Sequence, residues 1–269
     1  MVSVVDRLPV ARLVLEPAEL AAVHAALPAA FRRPGPAAAA VTDAVLEELR
    51  ARRVLDEYGQ VHRSVLAGFV LLADPAAPRF SVVAGSPAMA RRTTLALSGA
   101  LLAGLTVEEP DGRAEQLLAA TSALGGELER LLPTLRLAGR PGRQALRGAD
   151  PGRLLAAVEA MHSTGPLSTM LVEQAELGAG LEAAAALAGG LAGSLQVTLS
   201  LPAGAVADGP VLDRVLWVAA DKGWWALRPG ADRMGRPRLD VVPVRPSELG
   251  RDLAPLVAAA ALALGAKGD

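Results

Sequence analysis

Two proline-led signatures, set at opposite ends of the chain, constrain its fold more than any other feature. Pro17-Ala18-Glu19-Leu20 and Pro246-Ser247-Glu248-Leu249 each open a helical pattern directly after a short Val/Leu-rich run. Proline suits a first helical turn because the N–H it lacks would have no intrahelical partner there, and an acidic residue in that turn opposes the helix dipole.

The signatures sit inside a longer repeated order. In the first half, a strand-like run Arg12-Leu13-Val14-Leu15 precedes helical patterns over Pro17 to Leu27, Pro36 to Arg53 and Val61 to Leu72. Strand-like runs follow at Arg79 to Val83, Thr93 to Leu97 and Leu101 to Glu108, joined by Gly- and Pro-containing turns that favour antiparallel neighbours. Pro110-Asp111-Gly112 then leads to a predicted helix with Leu117, Leu118, Leu124, Leu128, Leu131 and Leu132 on its apolar side. Residues 135–150 carry Arg136, Arg140, Arg143 and Arg147 among Gly and Pro and read as a linker. The second half shows helical patterns near Pro151 to Met161, Leu167 to Leu177 and Leu181 to Leu191. Strand-like runs at Leu195 to Leu201, Val211 to Ala219, Gly223 to Arg228 and Arg238 to Val244 lead into the closing helix. Helices, a strand meander and a closing helix, twice over, predict a quasi-twofold α+β protein with one shared antiparallel sheet, its halves being residues 1–134 and 151–269.

Composition narrows the function classes. A hydrophobic content of 52% in 269 residues supports a sizeable core and excludes wholesale disorder. The chain has no Ile, Asn or Cys, and only Lys222 and Lys267 are lysines, so 25 of its 27 basic residues are Arg. Residues with AT-rich codons have been swept out, so the abundance of Ala, Arg, Gly and Pro reflects base composition before function. A net charge of −1 lacks the basic surplus of nucleic-acid binders. Without Cys there is neither a disulfide nor a thiolate metal site. Met1 to Pro9 has no apolar signal-like core, and Leu253 to Ala266, the longest apolar stretch, falls short of the roughly 18 residues a membrane span needs. The expectation is a cytoplasmic protein with no membrane insertion.

No catalytic motif stands out. His24, His62 and His162 each lie in a helical pattern, none at metal-ligand spacing, so neither a catalytic group nor a metal site is expected. HExxH, GxSxG, SxxK and P-loop patterns are absent. Gly178-Ala179-Gly180-Leu181-Glu182-Ala183 matches a dinucleotide fingerprint in letters, but a helical pattern precedes it where a strand is required. No cofactor is expected. Glu47-Glu48 and Glu108-Glu109 are sequence neighbours whose carboxylates do not converge on one site. The three tryptophans, Trp217, Trp224 and Trp225, lie within nine positions. Trp217 can pair across a tight turn with one of the other two, while Trp224 and Trp225 must point to opposite sheet faces, one packing under helices and the other covering a sheet edge or anchoring a partner. Met89, Arg91 and Arg92 fall in the predicted turn between the first two meander strands, where a flexible thioether beside two guanidiniums suits an amphipathic partner helix.

Several stretches together resemble one family. They are Leu13-Val14-Leu15 before Glu19-Leu20, then Glu48-Leu49-Arg50-Ala51-Arg52-Arg53-Val54-Leu55-Asp56-Glu57-Tyr58-Gly59, then Leu71-Leu72-Ala73-Asp74-Pro75. In the second half they are Gly223-Trp224-Trp225-Ala226-Leu227, Val241-Val242-Pro243-Val244 and Glu248-Leu249. The pattern is similar to the EspG family, cytosolic proteins associated with ESX (type VII) secretion in high-GC actinobacteria. The resemblance implies a central antiparallel sheet flanked by two helical bundles and a non-catalytic chaperone that keeps secreted helical-hairpin proteins of the PE/PPE or WXG type soluble. It places the contact surface on the turn from Gly85 to Arg92 and the helices from Leu167 to Leu191. The partner-binding residues expected are Met89, Arg91, Arg92, Trp224 and Trp225, with a homodimer as a further state of the free chain. Two other readings stand beside it: a small-molecule-binding or enzymatic domain using Arg91, Arg92 and Glu108, and a self-associating regulatory subunit.

Overall fold

A computed structural model of the chain describes residues 10–31, 40–86, 88–131, 145–164, 181–202, 214–220 and 223–265. The first half runs β1 (Ala11–Leu15), α1 (Pro17–Ala26), α2 (Asp43–Ala51), α3 (Arg63–Ala73), β2 (Arg79–Ser86), β3 (Met89–Ser98), β4 (Leu101–Glu109), β5 (Ala114–Ala120) and α4 (Leu124–Arg130). The second runs β6 (Leu146–Ala149), α5 (Pro151–Thr164), α6 (Leu181–Ala188), β7 (Leu191–Ser200), β8 (Arg214–Ala220), β9 (Gly223–Ala231), β10 (Pro237–Val244) and α7 (Leu249–Gly265).

The ten strands form one sheet in the order β1-β5-β4-β3-β2-β7-β8-β9-β10-β6. Every neighbouring pair is antiparallel. Read outward from the central β2–β7 pair, both halves place their strands in the same sequence, which is the quasi-twofold α+β architecture expected. Along the seam Phe80 faces Leu199, Val82 faces Val197 and Ala84 faces Leu195, all buried.

Strand alternation divides the core between two faces. One face carries Leu95, Leu102, Leu117, Trp217 and Trp224 against α4 and α7, in a single cluster that spans both halves. On the other, Leu15, Ala114 and their neighbours pack against α1 to α3, while Trp225, Val218 and Val241 pack against α5 and α6.

The two proline-led signatures are one device used twice. Glu19 Oε2 accepts from the Glu16 backbone N–H at 2.8 Å, and Glu248 Oε2 accepts from the Arg245 N–H at 2.8 Å, the glutamate half of a capping box at each helix entry. Glu19 also receives Arg52 Nη1 at 2.6 Å, which ties α1 to the end of α2. On α3, a Cβ at Gly68 would collide with the Gln116 side chain, whose Nε2 donates to the Val65 carbonyl at 2.8 Å. Glycine there lets the helix approach the sheet closely without displacing the Gln116 amide.

The structure corrects several predicted elements. The helix expected after Gly112 begins only at Leu124, and residues 114–120 form strand β5. Leu117 and Leu118 point to opposite faces, and because helices cover both, the strand shows no polar alternation to betray it. Within the predicted linker, Leu146–Ala149 is the edge strand β6, paired with β10. α2 begins at Asp43, where Thr42 Oγ1 accepts from the Val45 N–H at 3.4 Å, rather than at Pro36. Leu191 opens β7 instead of ending a helix. The helix expected over Leu167 to Leu177 lies outside the described residues.

Candidate partner-binding surface

The β2–β3 hairpin is tight and closed. Its last pairs are Gly85 with Ala90 and Ser86 with Met89, and a Cβ at Gly85 would collide with the Met89 carbonyl oxygen, so a side chain there is sterically excluded. Met89, Arg91 and Arg92 therefore belong to β3, not to a turn as expected, and strand alternation fixes where they point. Arg91 lies on the α4/α7 face, with its Nε 2.9 Å from Glu108 Oε1. Arg92 lies on the opposite face, with its Nε 2.7 Å from Glu109 Oε1. Arg91 and Glu108 meet, but Arg92 lies on the other face, so the three residues named for a small-molecule or enzymatic site do not converge on one. Each guanidinium already has a carboxylate, leaving Met89, half of it exposed, as the apolar feature of the hairpin.

Beside the hairpin, on the α4/α7 face, a cleft of about 240 Å³ is lined by Val14, Arg91, Thr106, Glu108, Arg113 and Arg130, among others. The buried hydroxyls of Thr93 and Thr106 share a 2.9 Å hydrogen bond across β3 and β4. The carboxylates bordering this region are engaged by arginines. Glu115 accepts from Arg12 at 2.9 Å and Arg130 at 2.6 Å. Glu127, on α4, accepts from both Arg12 terminal nitrogens and from Arg130 Nε at 3.0 Å. Burial pushes the Glu127 carboxyl upward, but the hydrogen bonds from Arg12 and Arg130 outweigh it and hold the group below the usual carboxylate range. A carboxylate held ionised in this way is an anchor for a helix and a poor proton donor at neutral pH.

The tryptophans occupy a different part of the sheet. Trp217 and Trp224 are diagonal neighbours on β8 and β9, with ring centroids 6.4 Å apart, the pairing expected across the turn. Trp217 Nε1 donates to Asp252 Oδ2 at 3.0 Å, and Arg228 grips the same carboxylate at 2.6 Å, fastening α7 to the sheet. Trp224 and Trp225 do face opposite ways, yet both are buried, Trp225 completely. Neither presents surface to a partner, because α5 and α6 cover the face that the sequence left open and β10 and β6 extend the sheet beyond β9. Among the described residues no group of three or more His, Asp or Glu could hold a metal ion, and no helix is long and apolar enough to cross a membrane.

No protein-family model matches the sequence, and no curated protein matches it. Among solved structures, the chain is similar to a chain of the Mycobacterium tuberculosis type VII secretion system chaperone EspG5, solved in complex with a PE25-PPE41 dimer. The TM-score is 0.59 at 14% identity, over 94% of this chain and 96% of that one. The two share a fold. At this identity the likeness speaks for architecture: one antiparallel sheet with helices on its faces, matched nearly end to end.

Met89, Arg91 and Arg92 thus sit together at one end of the sheet, and the tryptophans form part of its core. Sequence reasoning missed the Arg12–Glu115–Glu127–Arg130 cluster, which joins residues more than a hundred positions apart and leaves no local signal. It also missed Asp252 as the partner of Trp217 and Arg228, although an acidic residue in the first turn of the closing helix is the kind of signal that points to such a role.

Proposed function

We propose that the chain is a cytosolic chaperone of type VII secretion, which holds a secreted helical-hairpin protein of the PE/PPE or WXG kind and keeps it soluble until export. The observation that carries this reading is the end-to-end fold likeness to EspG5, a chaperone captured with a PE25-PPE41 dimer. A chaperone of this kind needs a rigid platform with adaptable apolar surface and no reacting group. The β2–β3 hairpin suits that role: its backbone is closed by the Gly85 contact, and Met89 stands half-exposed at its end, followed in the strand by two ion-paired arginines. The proposed contact residues are Met89, Arg91 and Arg92. Trp224 and Trp225 drop out because they are buried.

Co-expression with small helical secreted proteins encoded beside it tests the reading. A stable complex on size exclusion is the expected result, and failure with every such neighbour overturns it. Met89→Asp should weaken capture about tenfold or more with the melting temperature unchanged, as expected for an exposed hot-spot side chain. Arg91→Glu is a poorer probe, since it would set two carboxylates face to face with Glu108. The same column, run on the free chain at several concentrations, reads whether it forms the homodimer expected from sequence.

A further inference from the structure

The β9–β10 hairpin carries an exposed methionine flanked by two guanidiniums that lack a carboxylate partner among the described residues, whereas both arginines after Met89 are ion-paired. Met234 is 78% exposed. Arg233 and Arg236 are exposed on either side of it, and no carboxylate among the described residues lies within ion-pair distance of them. The turn is held rigidly. Asp232 Oδ1 accepts from the backbone N–H groups of Met234 at 2.8 Å and Arg236 at 3.0 Å, and Oδ2 accepts from Arg238 at 3.0 Å. Gly235, at φ +73°, donates its N–H to the Asp232 carbonyl at 2.9 Å. A tip ordered before binding loses little conformational entropy on docking.

A second, independent feature lies beside it. On the α7 side, a cleft of about 290 Å³ is lined by the exposed Pro229 and Pro255 and by Arg214 and Arg251, and it reaches down to the buried Val215 and Trp217. Pro229 lines the same cleft and stands three residues before Asp232, roughly 10 Å along an extended chain, so one short segment can span cleft and tip. Of the arginines at this end, Arg228, Arg238 and Arg251 are ion-paired with Asp252, Asp232 and Glu248, which leaves Arg214, Arg233 and Arg236 with no carboxylate within ion-pair distance among the described residues. The strand registers put the tip at the opposite end of the sheet from the β2–β3 hairpin.

The geometry points to a second docking surface here, for an acidic protein segment that places a large apolar side chain in the cleft and carboxylates against Arg233 and Arg236. Nucleic acid fits less well. Trp217, Trp224 and Trp225 are buried and offer no exposed ring on which a base could stack, and the chain as a whole has no basic surplus. The inference rests on this end of the molecule alone and stands whether or not the other end holds a secreted client.

The test is fluorescence anisotropy of the full chain with a labelled peptide of alternating Glu and Leu, and with its Lys counterpart. Binding of the Glu peptide that weakens as salt rises is expected, with none of the Lys peptide. Arg233→Glu with Arg236→Glu should weaken it about tenfold or more, and the milder Arg233→Gln with Arg236→Gln less, as for charges on an interface rim. Arg63→Glu, at the exposed start of α3 and outside both surfaces, should leave it unchanged. The proposal is overturned if the Glu peptide does not bind, if both double variants bind like wild type, or if a single-stranded oligonucleotide or phosphatidylserine vesicle is bound in preference.

Discussion

His24, in the last turn of α1, is a neutral ring held in an apolar setting. Its Nε2 is buried and has no hydrogen-bond partner among the described residues, and its ring meets Phe69 edge-on at 5.6 Å between centroids. Burial pushes its pKa below the ordinary histidine value. The unfolded chain therefore takes up a proton before the folded one does as pH falls through about 6.5, so the native state loses stability across that window and keeps it in full above. His24→Leu should remove this dependence. Urea unfolding between pH 7.5 and 5.5 should show a smaller loss for the variant than for wild type, and parallel pH profiles would refute the assignment. Nothing in the sequence distinguished His24 from His62, whose Nδ1 accepts from the Ser64 N–H at the start of α3. Both lie in helical patterns, and only the packing of α1 on α3 separates their roles.

Among the elements, each half closes with a helix bound to the sheet through a nearly buried carboxylate, Glu127 of α4 by Arg12 and Asp252 of α7 by Arg228 and Trp217. For Glu127, burial opposes the charge and the two arginines more than restore it, so its folded pKa lies below the unfolded value. Its stabilisation is present above about pH 4.3 and is lost as pH falls through the folded pKa. Glu127→Gln should cost about 2 kcal/mol at pH 7, a figure reduced from the fully buried case because Arg12 is partly exposed. Denaturant midpoints of wild type and variant should draw together below pH 4, and an undiminished gap there would exclude ionisation as the cause. Strand positions were legible where one face met polar residues or a turn marked the end, as at β1, β9 and β10. They were not legible at β5, whose two faces are both covered, or at β6, four residues long with Gly148 at φ +63°. The Trp224/Trp225 alternation could be read from adjacency alone, but whether the outer face met water depended on α5 and α6 packing over it and on β10 and β6 lying beyond its edge.

On the scale of the molecule, the repeated order visible in the sequence shows how the halves are built but not how strongly they depend on each other. That dependence lies at the seam. Seven consecutive cross-strand pairs join β2 to β7, and the cluster under α4 and α7 runs without a break from Leu102 and Leu117 through Phe80 and Val197 to Trp217 and Leu256. Unfolding either half would strip one face from the core of the other and leave the backbone groups of β2 or β7 without their ladder partners, a penalty of the kind that buried polar groups avoid. The halves should therefore melt together. Calorimetry is expected to show one transition whose calorimetric and van't Hoff enthalpies agree. Val197→Ala, a truncation at the seam facing Val82, should lower that single transition by about 2 kcal/mol without splitting it. Two separable transitions, or a Val197→Ala effect confined to one of them, would mean that the ten-stranded sheet joins two independently stable domains and that the shared core adds little to either.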